Sequence, residues 1–380
     1  MSSNEVDRED STNTPVWSLP VDGPDATGAY LSTPVGQSKS PKTTTMGAVD
    51  GKRLRTAWQR QLAEAIRDPQ ELLARLQLPA EPLAVPATAA VQGFPTLVPH
   101  SFLARMEPGN RNDPLLRQVL PVAAEAEQVF GFTADPVADS SARAAAGMLH
   151  KYHGRALLIT TGTCAVHCRY CFRREYPYHE EPRRMTDWEP ALQQICQDES
   201  ITEVILSGGD PLILSDDRLR ILCSRIDSID HVERLRIHTR LPIVLPARVT
   251  DELLALLTSL RSQAIVVVHA NHGNEIATDC ETALRTIVRA GIPVLNQAVL
   301  LKNVNDSVEA LETLCRRLIN TGVMPYYLHQ LDRVQGAAHF EVTDKVALEL
   351  MMGIRNRLPG YAVPQLVREI PGEASKSPVQ

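Results

Sequence analysis

The chain has 380 residues, with 39 Lys+Arg against 45 Asp+Glu, a net charge of −6 and 43% hydrophobic residues. That mildly acidic balance excludes a protein whose main task is to coat nucleic acid or anionic membrane, and no apolar run reaches the roughly 18 residues of a membrane span. Met1 opens a polar stretch without a secretion signal, and 7 cysteines, an odd number, argue for reduced thiols in a cytoplasmic chain rather than a disulfide scaffold.

Of residues 1–50, 23 are Ser, Thr, Pro or Gly, and the apolar residues there have no period, which reads as a disordered tail. Leu54, Trp58, Leu62 and Ile66 recur at i, i+4 and predict an amphipathic helix over 53–67. Asp68-Pro69 reads as an N-cap followed by Pro at the first helical position, opening a short helix through Leu76. Residues 78–150 are Pro-rich and irregular, so 51–150 is expected to be a helical and irregular cap on something larger.

From Arg155 short apolar runs alternate with helical patterns. Strands are expected at 156–161, 203–207, 234–238, 264–269, 293–299 and 324–328. Helices are expected at 187–198, 216–228, 250–260, 278–290, 306–319 and 343–357. Near-continuous apolar strands covered by helices imply a parallel sheet. Eight such units close a barrel; six imply an incomplete (β/α)6 barrel over 151–358, followed by a C-terminal segment, 359–380. In this architecture the chemistry lies at the C-terminal ends of the strands.

The loop after the first strand carries Cys164, Cys168 and Cys171 in a C-x3-C-x2-C spacing. Three thiolates on one short loop can hold a [4Fe–4S] cluster with one iron left open. Zinc with His167 as fourth ligand and a redox thiol loop are the other readings. Arg169, Arg173 and Arg174 are expected to favour the thiolates. The remaining cysteines, Cys196, Cys223, Cys280 and Cys315, sit in helical or strand patterns and are expected in the core. The second strand ends in Ser207-Gly208-Gly209-Asp210, where glycines let the backbone approach a ligand.

These features together resemble the radical S-adenosylmethionine superfamily. From about Phe94 onward the chain is similar to lysine 2,3-aminomutases, at Lys151-Tyr-His-Gly-Arg155, Cys171-Phe-Arg-Arg174, Leu206–Asp210, Arg236–Arg240, Pro325–Leu328 and Gly336–Phe340. The likeness is closest to the members that supply β-lysine for elongation factor P. The resemblance implies that Cys164, Cys168 and Cys171 hold the cluster. Ser207, Gly208, Gly209, Asp210, Arg240 and His269 would surround S-adenosylmethionine. It implies that Lys376, in Gly372-Glu-Ala-Ser-Lys376, is the catalytic lysine that holds pyridoxal phosphate, with Tyr152 stacking on the ring and Arg155 and Gln297 on the phosphate. Lys151 stands where the family has an arginine, keeping the charge without the bidentate fork. Arg173 would bind the substrate α-carboxylate, and Asp332 and Glu369 the ε-ammonium of L-lysine. The implied partners are a reductant such as flavodoxin, a β-lysine ligase and elongation factor P, with no nucleic acid and no membrane. The chain ends soon after Lys376, where longer lysine aminomutases carry a zinc-binding tail. A free-standing aminomutase for catabolism or osmolyte synthesis, and a non-catalytic Fe–S scaffold, are the competing readings.

Overall fold

The computed structural model describes residues 56–79 and 94–380; the tail read over 1–50 lies outside them. Helix α1 (Ala57–Ala63) is shorter than the pattern predicts. Ile66 leaves the helix to pair with Val98, exchanging both backbone hydrogen bonds at 2.9 Å. Long-range pairing thus overrides an apolar period that would have continued. Helix α2 (Pro69–Arg75) starts as expected, with Asp68 accepting from Gln70 N–H at 2.9 Å.

Ten strands form one sheet in sequence order, β1 (Arg143–Ala145), β2 (Met148–Tyr152), β3 (Arg155–Ile159), β4 (Glu203–Ser207), β5 (Arg234–Thr239), β6 (Gln263–Val268), β7 (Val294–Val299), β8 (Met324–His329), β9 (Gln365–Arg368) and β10 (Ser377–Pro378). Neighbours from β3 to β9 run parallel. β1, β2 and β10 join antiparallel. The six expected strands therefore gain a seventh parallel one, β9, and a hairpin before the first. The stretch read as irregular to residue 150 already contains the sheet edge, and the C-terminal segment supplies the opposite edge. β1 and β10 do not pair, so the barrel is open.

Helices α3 (Glu189–Gln197), α4 (Asp216–Asp227), α5 (Asp251–Thr258), α6 (Thr278–Arg289), α7 (Val308–Asn320) and α8 (Asp344–Arg355) follow β3 to β8 in turn. Hydroxyl caps start several of them: Thr250 accepts from Leu253 N–H at 3.2 Å and Ser307 from Ala310 N–H at 3.1 Å. Each helix buries one stripe, as α7 does with Leu311, Leu314, Cys315 and Leu318.

The strands are not apolar on both faces. Along β5, Leu235, Ile237 and Thr239 are buried, whereas Arg234, Arg236 and His238 are only partly covered. β7 alternates likewise, with Leu295, Gln297 and Val299 on the less covered side. Among these, Arg236, His238, Gln297 and Val299 line the central cavity. A closed barrel fills its interior with side-chain layers; this open one keeps a cavity that a few polar side chains enter.

Candidate active site

One cavity of about 300 Å³ occupies the lumen, and every residue expected at the site borders it. Cys164, Cys168 and Cys171 enter from the loop after β3, Ser207 to Asp210 from β4, Arg240 from β5, His269 from β6 and Gln297 from β7. Tyr152 and Arg155 come from the hairpin β2–β3. Asp332 follows β8, and Glu369 and Lys376 flank the turn between β9 and β10.

The cysteine loop is fixed by backbone contacts that explain the glycines. Gly209 N–H donates to Thr161 O at 2.7 Å and Asp210 N–H to Thr163 O at 2.9 Å. A Cβ on Gly208, whose φ is +119°, would lie 2.5 Å from Thr161 O, and one on Gly209 would lie 2.3 Å from Thr163 O. The glycines are required by the close approach of the cysteine loop to the end of β4, a reason separate from any ligand. Asp210, expected among the cofactor contacts, is committed to the fold. Its carboxylate accepts from Thr239 Oγ1 and Arg240 N–H, both at 2.7 Å. Burial pushes that carboxyl up to about 6.

The three thiols share one wall of the cavity. His167 turns away from them: its Nδ1 lies 2.8 Å from Pro95 O and its ring stacks on Phe94. That removes the fourth ligand of the zinc reading. Among the described residues no three His, Cys, Asp or Glu side chains are arranged for a single metal ion. Burial and then the neighbouring Cys171 push the Cys164 thiol well up; burial and Cys168 push Cys171 up to about 11. Arg173 and Arg174 pull the Cys171 thiol down as expected but are outweighed by burial, and Arg169 and Arg174 also pair with the buried Glu125 carboxylate. Iron loading must displace these thiol protons. Arg240 donates to Cys168 Sγ at 2.7 Å and is itself held by Gln118 at 2.7 Å and Glu275 at 2.9 Å. Gln118 and Glu275 carried no recognisable sequence signal. Of the other cysteines, Cys223, Cys280 and Cys315 are buried as expected, but Cys196 is exposed: it falls on the solvent side of α3.

A chain of charges also borders the lumen. Arg173 Nε donates to Asp139 at 2.6 Å and its Nη1 to Ser207 Oγ at 3.2 Å. The guanidinium expected to fork a carboxylate is thus already engaged at Nε and Nη1, which leaves Nη2 open among the described residues. Lys151 pairs with Asp139 at 2.7 Å and Glu369 at 2.8 Å, and Lys376 donates to Glu369 at 2.6 Å. Burial opposes ionisation of Glu369, but Lys376 and Lys151 outweigh it and hold the carboxyl down to about 2. Asp332 has no ion-pair partner among the described residues, and burial pushes it up to about 7. Burial lowers His269 to about 3 and His238 and His329 well below the usual imidazole range, so three neutral imidazoles border the lumen.

Several buried donors stand without partners. Arg155 Nε, Arg236 Nε and His238 Nε2 have none among the described residues, although the Arg155 guanidinium lies 4.8 Å over the Tyr152 ring. Unpaired buried polar atoms cost free energy, so their presence in a lumen fits a site built for an anionic ligand group. Three thiols, a glycine-lined strand end, a reachable lysine and orphaned arginine donors thus fit an iron–sulfur cluster, S-adenosylmethionine and pyridoxal phosphate.

Residues 158–316 match the Radical SAM superfamily. The chain is 46% identical over 325 residues to L-lysine 2,3-aminomutase of Escherichia coli (strain K12), covering 86% of this chain and 95% of that protein. It is 44% identical to L-lysine 2,3-aminomutase of Haemophilus influenzae, over 84% and 94% of the two chains. It is 34% identical to the enzyme of the same name from Clostridium subterminale, over 73% and 67%. Identity of this degree across nearly the full length of relatives, on an open β/α barrel with its three cysteines after β3, shows that the chain belongs to the lysine 2,3-aminomutase family of the radical S-adenosylmethionine superfamily.

Proposed function

We propose that this protein converts (S)-α-lysine to (R)-β-lysine, and that the product is attached by a partner ligase to a lysine of elongation factor P. The observation that carries the reaction is the convergence on one lumen of the three-thiol loop, Lys376, Arg173 and the acid pair Asp332 and Glu369. Members of this family use a [4Fe–4S] cluster, S-adenosylmethionine and pyridoxal phosphate, which together supply a hydrogen-abstracting carbon radical and a π system for an amino group to cross.

The chain's own residues do the holding. Cys164, Cys168 and Cys171 would ligate the cluster, with Arg240 donating to the Cys168 sulfur. Ser207, Gly208, Gly209 and His269 border the space between thiols and lumen where S-adenosylmethionine would lie. Asp210 acts through Arg240, whose backbone it pins. Lys376 is the nucleophilic amine for a pyridoxal aldehyde, Tyr152 offers a ring face, and Arg155 and Gln297 face the phosphate end. Arg173 would take the α-carboxylate through donors not used by Asp139 and Ser207. Asp332 and Glu369 would take the ε-ammonium. The open seam of the barrel lets substrate in, while the mostly apolar wall excludes water and strengthens each of these charge contacts.

The elongation factor P step is supported by the likeness of the Lys151–Arg155 and Cys168–Arg174 stretches to members with that role. Residues 151–358 as the catalytic barrel, 359–380 as the pyridoxal-bearing segment, a flavodoxin-like reductant and a cytoplasmic location belong to the same proposal. No helix among the described residues is long and apolar enough to cross a membrane. The test is an anaerobic assay of reconstituted protein with S-adenosylmethionine, pyridoxal phosphate, reductant and lysine. β-Lysine is the expected product, and its absence with all cofactors loaded refutes the reaction. Adding ligase and elongation factor P should then raise the factor's mass by one lysyl residue; an unmodified factor refutes the product's fate.

A further inference from the structure

Lys151 lies on β2, one strand in from an edge of the open sheet, and Glu369 directly follows β9, one strand in from the other edge. Among the described residues no strand pairing closes the seam between these edges. The Lys151–Glu369 ion pair, 218 residues apart in sequence, crosses it. The Lys151 ammonium meets three oxygens: Val137 O at 2.7 Å, Asp139 at 2.7 Å and Glu369 at 2.8 Å. Of its three N–H donors, two are hydrogen-bonded to Val137 O and Glu369, and the third stands beside the Asp139 carboxylate in an ion pair, so a phosphate would meet an ammonium already held by two carboxylates. Arg155, in contrast, keeps a buried Nε without a partner.

The same contacts join the two ends of the proposed substrate site in one series, from Arg173 through Asp139, Lys151 and Glu369 to Lys376. Two acids, Asp332 and Glu369, face a ligand group that carries a single positive charge. Lys151 offsets one of those charges and occupies one oxygen of Glu369. We propose that Lys151 is a positioning residue for substrate recognition, pinning Glu369 across the seam so that the acid pair accepts one terminal ammonium, and that it does not hold the cofactor phosphate. This rests on the reading of lysine as substrate.

Without Lys151, the vacated Glu369 oxygen falls to Lys376, which already donates to the other oxygen, and an incoming ammonium must compete with a fixed one. The test uses the full chain and equilibrium binding followed by the absorbance of the bound pyridoxal. Pyridoxal 5′-phosphate is compared with pyridoxal, and lysine with 2-aminohexanoate, in wild type, Lys151→Met, Lys151→Arg and Arg155→Met. The ratio between the two pyridoxal forms cancels any change at Lys376. Lys151→Met should keep the wild-type preference for the phosphate form, whereas Arg155→Met should lose about tenfold of it. Lys151→Met should bind lysine about tenfold more weakly, a loss of about 1.4 kcal/mol, and 2-aminohexanoate as before, with Lys151→Arg recovering most of the lysine affinity. Loss of the phosphate preference in Lys151→Met, or unchanged lysine affinity, would overturn the inference alone. Wild type that binds pyridoxal phosphate but gives no response to lysine would overturn it together with the proposed substrate.

Discussion

Asp332 and Glu369 border the same cavity, yet burial pushes the Asp332 carboxyl up to about 7, whereas Lys376 and Lys151 outweigh burial and hold Glu369 down to about 2. The difference is in partners: Glu369 has two lysines and Asp332 has none. In the unfolded chain Asp332 titrates near 3.8. Below that pH it is protonated in both states and contributes its full share of stability. As pH rises through about 7 the folded carboxyl must ionise in a buried site and that share is lost. Asp332→Asn should therefore match wild type in Tm near pH 4 and exceed it by a few degrees at pH 8; a difference that does not grow with pH refutes the assignment. The same variant should bind substrate worse. Loss of a charge-assisted contact to a buried ammonium costs about 2–5 kcal/mol, roughly 30-fold or more in kcat/KM for lysine, with little effect on a neutral analogue. A stabler, poorer enzyme is the expected trade at such a position. For the thiols, alanine at Cys164, Cys168 or Cys171 should remove bound iron, while Cys280→Ala, in the core on α6, should retain it. Iron analysis after anaerobic reconstitution decides, and the reverse pattern would break the ligand assignment.

The elements that matter are defined by how closely they approach one another. The end of β4 touches the cysteine loop through two glycines, with no room for a methyl group on either. Gly209→Ala should shift the Thr163 backbone, cost about 1–3 kcal/mol as overpacking does, and lower iron content with the fold retained. Gly360→Ala, with nothing within 4 Å of the new methyl, is the control. Equal iron content in both variants would show that the contact does not position the loop. Reading the glycines only as backbone that approaches a ligand left out this packing reason for them. The hairpin β1–β2 and the short β9 escaped prediction because three to five residues of mixed polarity carry no period of their own. Their partners β3 and β8 impose the extended state.

Across the molecule, the N-terminal helices brace the barrel from outside. Trp58 on α1 is buried, with the Arg248 guanidinium 4.8 Å over its ring, and Arg248 in turn pairs with Asp216 at the start of α4 at 2.8 Å. Trp58→Ala should cost about 3–5 kcal/mol and lower Tm, with pyridoxal phosphate binding preserved at low temperature. A cavity lost along with the tryptophan would mean that the brace shapes the lumen rather than supporting it.

Local pattern was enough for the alternation of β and α from Arg155 onward, because each helix buries a 3.6-residue stripe and each strand a short apolar run whatever its neighbours are. It was also enough for the cysteine loop, since three thiols within one short loop can converge without help from the rest of the chain. Tertiary structure alone decided which strand face meets the lumen: apolar runs hid the alternation that leaves Arg236, His238 and Gln297 inside an open barrel. It decided that Arg169 and Arg174 pair with the buried Glu125, and that Lys151 pairs with a carboxylate 218 residues away. Charged side chains choose partners by distance after folding, and a sequence records their charges but not their separations.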